Sequence, residues 1–216
     1  MLLLTDPLFQ KYAKFVGFAE GGLSKDPRDT ARKCVPPGMY HTNRGVTFCT
    51  YKGMAQSLGL APTYNRFLML TKDDANKFLH AYYRGASKGI TNPITQFIAT
   101  NIAWGSGQSV VPIIFRATLR ENMGLTNVRL TGGMNADLLK TINAQNPAKL
   151  NDELMKRRLR WLRGASTAKD HLKGWEAREA QFRKEFMTDP APSGGNPGIL
   201  GFLALAVGAF FFLKKE

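Results

Sequence analysis

The chain has 216 residues, 44% of them hydrophobic and 21% charged, and its formal net charge is +14 at pH 7. This length suffices for one domain with a hydrophobic core and leaves no need for a second catalytic domain. The charge predicts an anionic partner, which is a nucleic acid, an acidic lipid surface or a charged cell wall, without choosing among them. The three histidines lie far apart and show no ligand pattern, so we predict no metal site and no cofactor.

The first predicted helix ends at a carboxylate. Apolar residues recur at helical spacing over residues 8–19, and the glycine pair at 21–22 then ends the helix. At roughly 100° per residue, Glu20 lies within about 40° of Phe9 and Val16, so it belongs to the buried face. Burial and the negative end of the helix dipole both raise the pKa of such a carboxyl, which suits a general acid. The alternative is a helix-terminal Glu that turns out into water.

Three short motifs follow in a fixed order: E-G-G at 20–22, D-P-x-D at 26–29 and T-N-x-G-V-T at 42–47. This order resembles the signature of glycoside hydrolase family 108, the muramidases of phages and bacteria with a lysozyme-like fold. The spacing is also similar to that of phage lysozymes, in which an acidic residue, here Asp29, follows the helix-ending Glu nine residues later. This chain departs from the family in lacking the Gly-Gly before the Thr-Asn and in a lengthened loop within residues 30–40.

The resemblance implies that Glu20 protonates the leaving oxygen of a glycosidic bond. For Asp29 it implies stabilisation of an oxocarbenium-like transition state or positioning of water, with Thr42 or Thr47 holding that water. The candidate catalytic residues are Glu20, Asp29 and Thr47. The candidate substrate-binding residues come from the Thr-Asn motif and from helices predicted near the cleft: Thr42, Asn43, Tyr83, Asn101 and Trp104.

Three helices are predicted in the middle of the chain. A short amphipathic helix follows Thr47, a second helix starts at the capping sequence 71–74, and a third opens at Asn92-Pro93. Asn101 is a polar residue on the apolar stripe of the third helix, where it either orients a loop at the cleft or is a hydrogen-bonded core amide. Residues 101–107 also resemble the D-x-A-x-N-S-G helix end of the family.

The carboxy-terminal half is predicted to be helical. Several stretches within residues 130–186 resemble the "peptidoglycan-binding" helical region that follows the catalytic part in this family. The basic run at 156–163 is either a solvated helix face or, beside Trp161 and Trp175, a surface that grips a glycan strand or its acidic peptide stems.

Two cysteines, Cys34 and Cys49, flank the lengthened loop. A disulfide between them would tie this loop to the segment that follows it, and two free thiols are the alternative. The sequence spacing does not decide between these two states.

The composition changes at the end of the chain. Residues 187–198 are rich in Pro, Gly and Ser and predict a flexible linker, whereas residues 199–213 are uncharged and precede two lysines. We predict a transmembrane anchor at 199–213, whose helical length of about 23 Å is short for a hydrocarbon core of roughly 30 Å. A segment that docks on a partner protein is the alternative. The two lysines favour the cytoplasmic side, and the first residues lack the pattern of a signal peptide.

The predicted fold class is mainly α, a lysozyme-like helical hydrolase with a small irregular or β-containing loop region and a carboxy-terminal transmembrane helix. Residues 1–186 form the predicted hydrolase domain. The predicted function is an N-acetylmuramidase that cleaves the β-1,4 bond between N-acetylmuramic acid and N-acetylglucosamine of peptidoglycan. The predicted partners are peptidoglycan and a lipid membrane, with no nucleic acid. The chain is predicted to be a single-pass membrane protein whose catalytic domain faces the wall. Its membrane is the host inner membrane or that of a lipid-containing phage particle.

Three alternatives remain, of which the last two come from other functional classes. A lytic transglycosylase of the same fold would use the muramic 6-hydroxyl instead of water as the attacking group. A catalytically inactive protein would hold parts of the wall or of a virion together. A membrane-tethered nucleic-acid binder has only the basic charge in its favour, because the chain contains no recognised nucleic-acid-binding motif.

Overall fold

The computed structural model describes residues 1–19, 21–166 and 168–187, and all structural statements concern these residues. This part of the chain is mostly helical, which confirms the predicted helical character. Besides α-helices, it contains two short 3-10 helices, at Thr30–Cys34 and Gln56–Leu58, and a π-helical turn at Thr118–Asn122. The α-helices are α1 (Pro7–Ala19), α2 (Phe48–Met54), α3 (Tyr64–Leu68), α4 (Lys72–Ala86), α5 (Pro93–Ser106), α6 (Val110–Ala117), α7 (Ala136–Asn143), α8 (Pro147–Arg163) and α9 (Ala168–Phe186).

A small antiparallel sheet lies between α1 and α2. Its strands are β1 (Leu23–Ser24), β2 (Thr42–Asn43) and β3 (Val46–Thr47), in the spatial order β1-β2-β3. The T-N-x-G-V-T motif is the β2–β3 hairpin, and its two central residues, Arg44 and Gly45, have φ angles of 50° and 77°. Two positive φ angles are what a two-residue hairpin turn of the primed type requires, and glycine adopts them without steric cost. The glycine of the T-N-x-G-V-T motif is therefore explained by the geometry of this turn.

Side-chain caps start several of the α-helices, including α4 and α5, whose starts the sequence predicts at 71–74 and 92–93. Thr71 and Asp74 form a reciprocal capping box at the start of α4. Asn92 caps α5 with its side-chain oxygen, and Pro93 occupies the first helical position. Each such cap satisfies backbone N–H groups that a helix start otherwise leaves without a partner.

The main hydrophobic core surrounds α5. Every side chain from Thr95 to Ala103 in this helix is buried, and α4, α6 and α8 pack around it. Burial of each large apolar side chain, such as Phe97, contributes about 1.5–3 kcal/mol to folding. A second, smaller core lies under the sheet around Tyr51 and Phe67, and Trp104 packs against both cores.

Helix α9 belongs to the same core as the amino-terminal helix. The Phe182 ring centroid lies 5.6 Å from that of Phe15 in α1, and the Phe186 ring centroid lies 5.7 Å from that of Phe97 in α5. The last described helix therefore packs against the first helix and is not a separate appendage. The division of the chain at 130, 187 and 198 stays a prediction.

Cys34 and Cys49 form a disulfide, so the structure has the bridge and not the two free thiols. The bond joins the end of the 3-10 helix Thr30–Cys34 to the first turn of α2. The lengthened loop is thereby attached to the helix that follows the hairpin.

The predicted fold class is corrected in one respect. Among the described residues no helix is long and apolar enough to cross a membrane. The two longest helices, α8 and α9, carry many charged side chains, which are costly in hydrocarbon. The segment 199–213, to which the anchor was assigned, lies outside the described residues. The transmembrane helix and the location as a single-pass membrane protein are not supported and are withdrawn.

Candidate functional site

An open cleft of about 650 Å³ lies between the sheet region and the helices α5 and α9. Its two sides come from parts of the chain that are distant in sequence. One side contains residues of the three sequence motifs: Gly21, Gly22, Asp26, Asp29, Thr42 and Thr47. The opposite side contains helical residues: Trp104, Gly105, His171, Trp175 and Arg178.

Asp29 has one anchored carboxylate oxygen. It is the N-cap of the 3-10 helix, and its Oδ1 accepts a hydrogen bond from the backbone N–H of Ala31 at 2.8 Å. Its other oxygen, Oδ2, lies 3.8 Å from Nδ1 of His41. The carboxylate is thus held by its own helix start while 39% of its side chain stays exposed beside the cleft.

His41 is a buried residue that holds Thr42 in place. Its Nε2 lies 3.1 Å from the backbone oxygen of Asp26, and its Nδ1 lies 2.9 Å from Oγ1 of Thr42. Because a carbonyl oxygen only accepts, Nε2 is the nitrogen that carries the proton in the neutral ring. Nδ1 then accepts the hydroxyl proton of Thr42, which leaves the oxygen lone pairs of Thr42 for a further donor.

Thr47 has a different environment, although it also lines the cleft. Its Oγ1 caps α2 by accepting the backbone N–H of Thr50 at 3.2 Å, and it lies 3.0 Å from the Thr50 hydroxyl oxygen. The Thr47 hydroxyl is therefore engaged in starting a helix, whereas that of Thr42 is oriented by His41.

Asp26 at the edge of the cleft forms an ion pair with Arg28. The Arg28 guanidinium contacts both carboxylate oxygens, with a shortest N–O distance of 2.6 Å. The hydrogen bonds from the side chain and the backbone N–H of Arg28 hold the pKa of Asp26 far below its ordinary value. Asp26 therefore stays ionised and does not serve as a proton donor near neutral pH.

The structure brings four of the predicted site residues together at the cleft, namely Asp29, Thr42, Thr47 and Trp104. The ring centroid of Trp104 lies 5.2 Å from that of Tyr82, which supports the indole edge-on. Glu20, the first candidate, lies outside the described residues, and Gly21, which follows it in the sequence, lines the cleft.

Three other predicted substrate-binding residues do not line the cleft and are engaged within the fold. Asn43 is buried, and its amide nitrogen donates to the backbone oxygens of Phe67 and Leu68. Tyr83 is fully buried, and its hydroxyl oxygen accepts from the backbone N–H of Leu2 at 2.9 Å. Burial raises the pKa of the Tyr83 hydroxyl, as expected for a phenol without access to water.

Of the two alternatives predicted for Asn101, the structure shows the hydrogen-bonded core amide. Its Oδ1 accepts from the Tyr12 hydroxyl at 2.9 Å, and its backbone oxygen accepts from Nη2 of Arg158 at 3.0 Å. Nη1 of Arg158 is in turn 2.6 Å from Oε1 of Glu179 in α9, and both partners of this ion pair are buried. This network fixes α9 against α5 directly behind the helical side of the cleft.

Helix α9 contributes three residues to the cleft, of which only Trp175 was proposed from the sequence to contact a glycan. His171, Trp175 and Arg178 follow one another at intervals of four and three residues, so they lie on one helix face. The ring centroids of His171 and Trp175 are 5.8 Å apart. The helical spacing is visible in the sequence, but nothing in it indicates which surface this face meets. His41 was also missed, and its only signal is its position next to Thr42.

A larger cavity, of about 730 Å³, lies near α6 and α7 but contains none of the motif residues. The buried Arg116 at its wall donates to the backbone oxygens of Arg129, Gly132 and Gly133 at 2.6–3.1 Å. Its guanidinium thus holds the loop before α7 together. No group of three potential metal ligands converges anywhere in the described part of the chain.

Comparison with known proteins identifies a fold relative. No protein-family model matches the chain, and no curated protein matches it either. Among solved structures, the chain is similar to Brucella abortus SagA, with 23% sequence identity and a TM-score of 0.61. The match covers 85% of this chain and 97% of SagA. At this identity the similarity shows a shared fold alone, and membership of glycoside hydrolase family 108 is not shown.

Proposed function

We propose that this protein is an N-acetylmuramidase of the glycoside hydrolase family 108 type, which cleaves the β-1,4 bond between N-acetylmuramic acid and N-acetylglucosamine in peptidoglycan. The observation that carries the proposal is the convergence of three separate motifs on one cleft. Gly21-Gly22, Asp29 and the pair Thr42 and Thr47 are the residues of the family resemblance, and all of them line it. The pairing of β1 with β2 and of β2 with β3 brings them to one surface, and Trp104, Trp175 and Arg178 of distant helices face them across the cleft.

In the proposed mechanism Glu20 is the general acid that protonates the leaving oxygen. Asp29 supplies a fixed negative charge next to the developing oxocarbenium ion, since its carboxylate is anchored by the backbone N–H of Ala31. The Thr42 hydroxyl, whose proton is directed to His41, accepts a hydrogen bond from the attacking water. These roles require no cofactor.

The walls of the cleft also suit a glycan. The indoles of Trp104 and Trp175 offer flat apolar faces to sugar rings, and Arg178 adds a positive charge beside them. The net charge of +14 favours approach to an anionic wall. Neither feature alone distinguishes a hydrolase from a protein that only binds the wall.

The test is digestion of isolated peptidoglycan by the purified full chain, followed by mass analysis of the sugar ends. We expect reducing N-acetylmuramic acid ends to accumulate with time. Ends of the 1,6-anhydro type would instead identify a lytic transglycosylase, in which the muramic 6-hydroxyl replaces water. Binding to the wall with no new ends of either type would refute the proposal and leave a wall-binding protein.

A further inference from the structure

A second pocket, of about 370 Å³, adjoins the cleft across one segment of chain. Alternate residues of this segment line the two cavities: Ser24, Asp26 and Arg28 line the cleft, whereas Lys25 and Pro27 line the pocket. The segment leaves β1 after Ser24 and then turns, with the backbone N–H of Asp29 donating to the backbone oxygen of Asp26 at 3.0 Å. The pocket and the cleft are therefore separated by the thickness of a single backbone.

The chemistry of this pocket is cationic and partly apolar. Lys25, Arg32 and Lys33 supply three positive charges, and Val35 and the prolines at 36–37 supply apolar walls. No carboxylate lines it within the described residues. The two nearby acids are engaged elsewhere, because Asp26 pairs with Arg28 and Asp29 caps the 3-10 helix. The three cations are thus not neutralised by side chains of the pocket.

The pocket is held in shape by two structural features. Its wall belongs to the lengthened loop, which the Cys34–Cys49 disulfide attaches to α2. The buried His41 also lines it, with Nε2 bonded to the backbone oxygen of Asp26. A site that is formed before binding loses less conformational entropy when a ligand arrives. The loop that departs from the family pattern therefore builds a defined surface.

We propose that this pocket, defined by Lys25, Arg32 and Lys33, is a subsite for the carboxylates of the peptide stem that branches from the glycan strand. The inference rests on the proposed function, because it assigns the glycan to the cleft. A stem attached to a sugar in the cleft needs to cross only the segment 24–28 to reach the cations. Its aliphatic side chains match the proline and valine walls, and its carboxylates match the three positive charges.

The test compares the wild-type chain with a triple variant, Lys25→Gln, Arg32→Gln and Lys33→Gln, on two soluble substrates. One substrate is glycan strands with intact peptide stems, and the other is the same strands after an amidase has removed the stems. We expect kcat/KM on stem-bearing strands to fall about tenfold, mainly through KM, because exposed ion pairs each contribute little. On stem-free strands the triple variant and the wild type should have equal rates.

A matched control removes the same charge elsewhere. Lys72→Gln, Arg84→Gln and Lys88→Gln change exposed residues on or just after α4 that line neither cavity. This control should keep wild-type rates on both substrates. Equal losses in the control and in the pocket variant would overturn the proposal in favour of general charge attraction. The proposal would also be overturned if the pocket variant lost as much kcat/KM on stem-free strands as on stem-bearing strands.

A further measurement compares walls with and without their phosphate polymers. If the pocket variant digests walls more slowly than the wild type only when the phosphate polymer is present, the assignment to peptide carboxylates is overturned.

Calorimetric titration with a soluble disaccharide–peptide measures binding without turnover. If the wild type cleaves neither substrate, the proposed function fails, yet weaker binding by the pocket variant than by the control would still support the subsite. Equal binding by all three proteins would reject it.

Discussion

Nη1 of Arg158 and Oε1 of Glu179 lie 2.6 Å apart in the interior, where the two side chains are 5% and 2% exposed. This ion pair joins α8 to α9, and Arg158 also donates to the backbone oxygen of Asn101 in α5. The residue before Glu179 is Arg178, which lines the cleft. The position of one wall of the cleft therefore depends on a buried charge pair behind it.

Replacement of one partner should be costly. Glu179→Gln removes a buried negative charge that contacts the Arg158 guanidinium, and we expect the free energy of unfolding to fall by about 3–5 kcal/mol. Chemical denaturation measures this loss. The double variant Arg158→Met and Glu179→Leu removes both charges and should recover much of the stability. A double variant as unstable as the single one would show that the cost comes from lost packing and not from the loss of the Glu179 charge beside Arg158.

Glu20 is the candidate acid of the proposed reaction. Glu20→Gln keeps the shape of the side chain and removes the transferable proton, so we expect the rate of wall digestion to fall by about 10²–10⁴-fold. Circular dichroism and thermal melting should be unchanged. A folded Gln variant with nearly wild-type digestion would remove Glu20 from the mechanism.

The two threonines of the hairpin motif should respond differently to the same change. Thr47→Val removes the N-cap of α2 and should lower the free energy of unfolding by about 1 kcal/mol. Thr42→Val removes the hydroxyl that His41 orients and should lower kcat; because it also leaves Nδ1 of the buried His41 without this donor, it should cost roughly 1–3 kcal/mol of stability as well. Measuring kcat, KM and the denaturation midpoint for both variants separates the two roles. The opposite pattern would make Thr47 the residue that handles water.

The disulfide should support both stability and activity. The bridge closes a loop with a sequence separation of 15 residues. A loop of this size is expected to contribute about 3 kcal/mol by restricting the unfolded chain. It also links the 3-10 helix capped by Asp29 to the helix capped by Thr47. The variant Cys34→Ser and Cys49→Ser should melt at a lower temperature and digest walls more slowly below that temperature.

The control for the disulfide prediction is chemical. Both cysteines of the chain are in the bridge, so a mild reductant has no other disulfide to act on. Reductant should reproduce the effect in the wild type and leave the double Ser variant unchanged. Full activity of the reduced wild type would show that the bridge contributes stability without positioning the cleft residues.

The pH dependence of stability should include a contribution from Asp152. Hydrogen bonds from Lys156 and Arg183 lower the pKa of the Asp152 carboxyl from its ordinary value of 3.8. The folded-state pKa is thus below the unfolded-state value, so the stabilisation is present above pH 3.8 and is lost as the pH falls through the lowered pKa. Asp152→Asn should therefore cost less than about 1 kcal/mol at pH 7, since the group is partly exposed, and nothing in strong acid. A constant difference between variant and wild type across this range would contradict the ion-pair explanation.

Much of the local structure could be predicted because its causes are local. Asn92 and Pro93 start α5 through a side-chain cap and a fixed φ angle, which depend only on neighbouring residues. The T-N-x-G-V-T motif forms a hairpin because Gly45 accepts a positive φ angle. The predicted site residues Asp29, Thr42, Thr47 and Trp104 line one cleft in the structure, and their roles there stay a prediction.

The sequence by itself determined the mainly helical class, the starts of α2, α4 and α5 and the basic charge, because these follow from short-range sterics, hydrogen bonds and composition. Only the tertiary structure decided which surfaces meet. Phe182 and Phe186 pack on rings from α1 and α5, and this packing brings Trp175 to the motif residues more than a hundred positions away. Only the tertiary structure also decided that Asn43, Tyr83 and Asn101 are buried, because the burial of a polar side chain depends on partners from distant segments. Each of these long-range contacts depends on the positions of several helices at once, and no pattern within a single helix or strand specifies them.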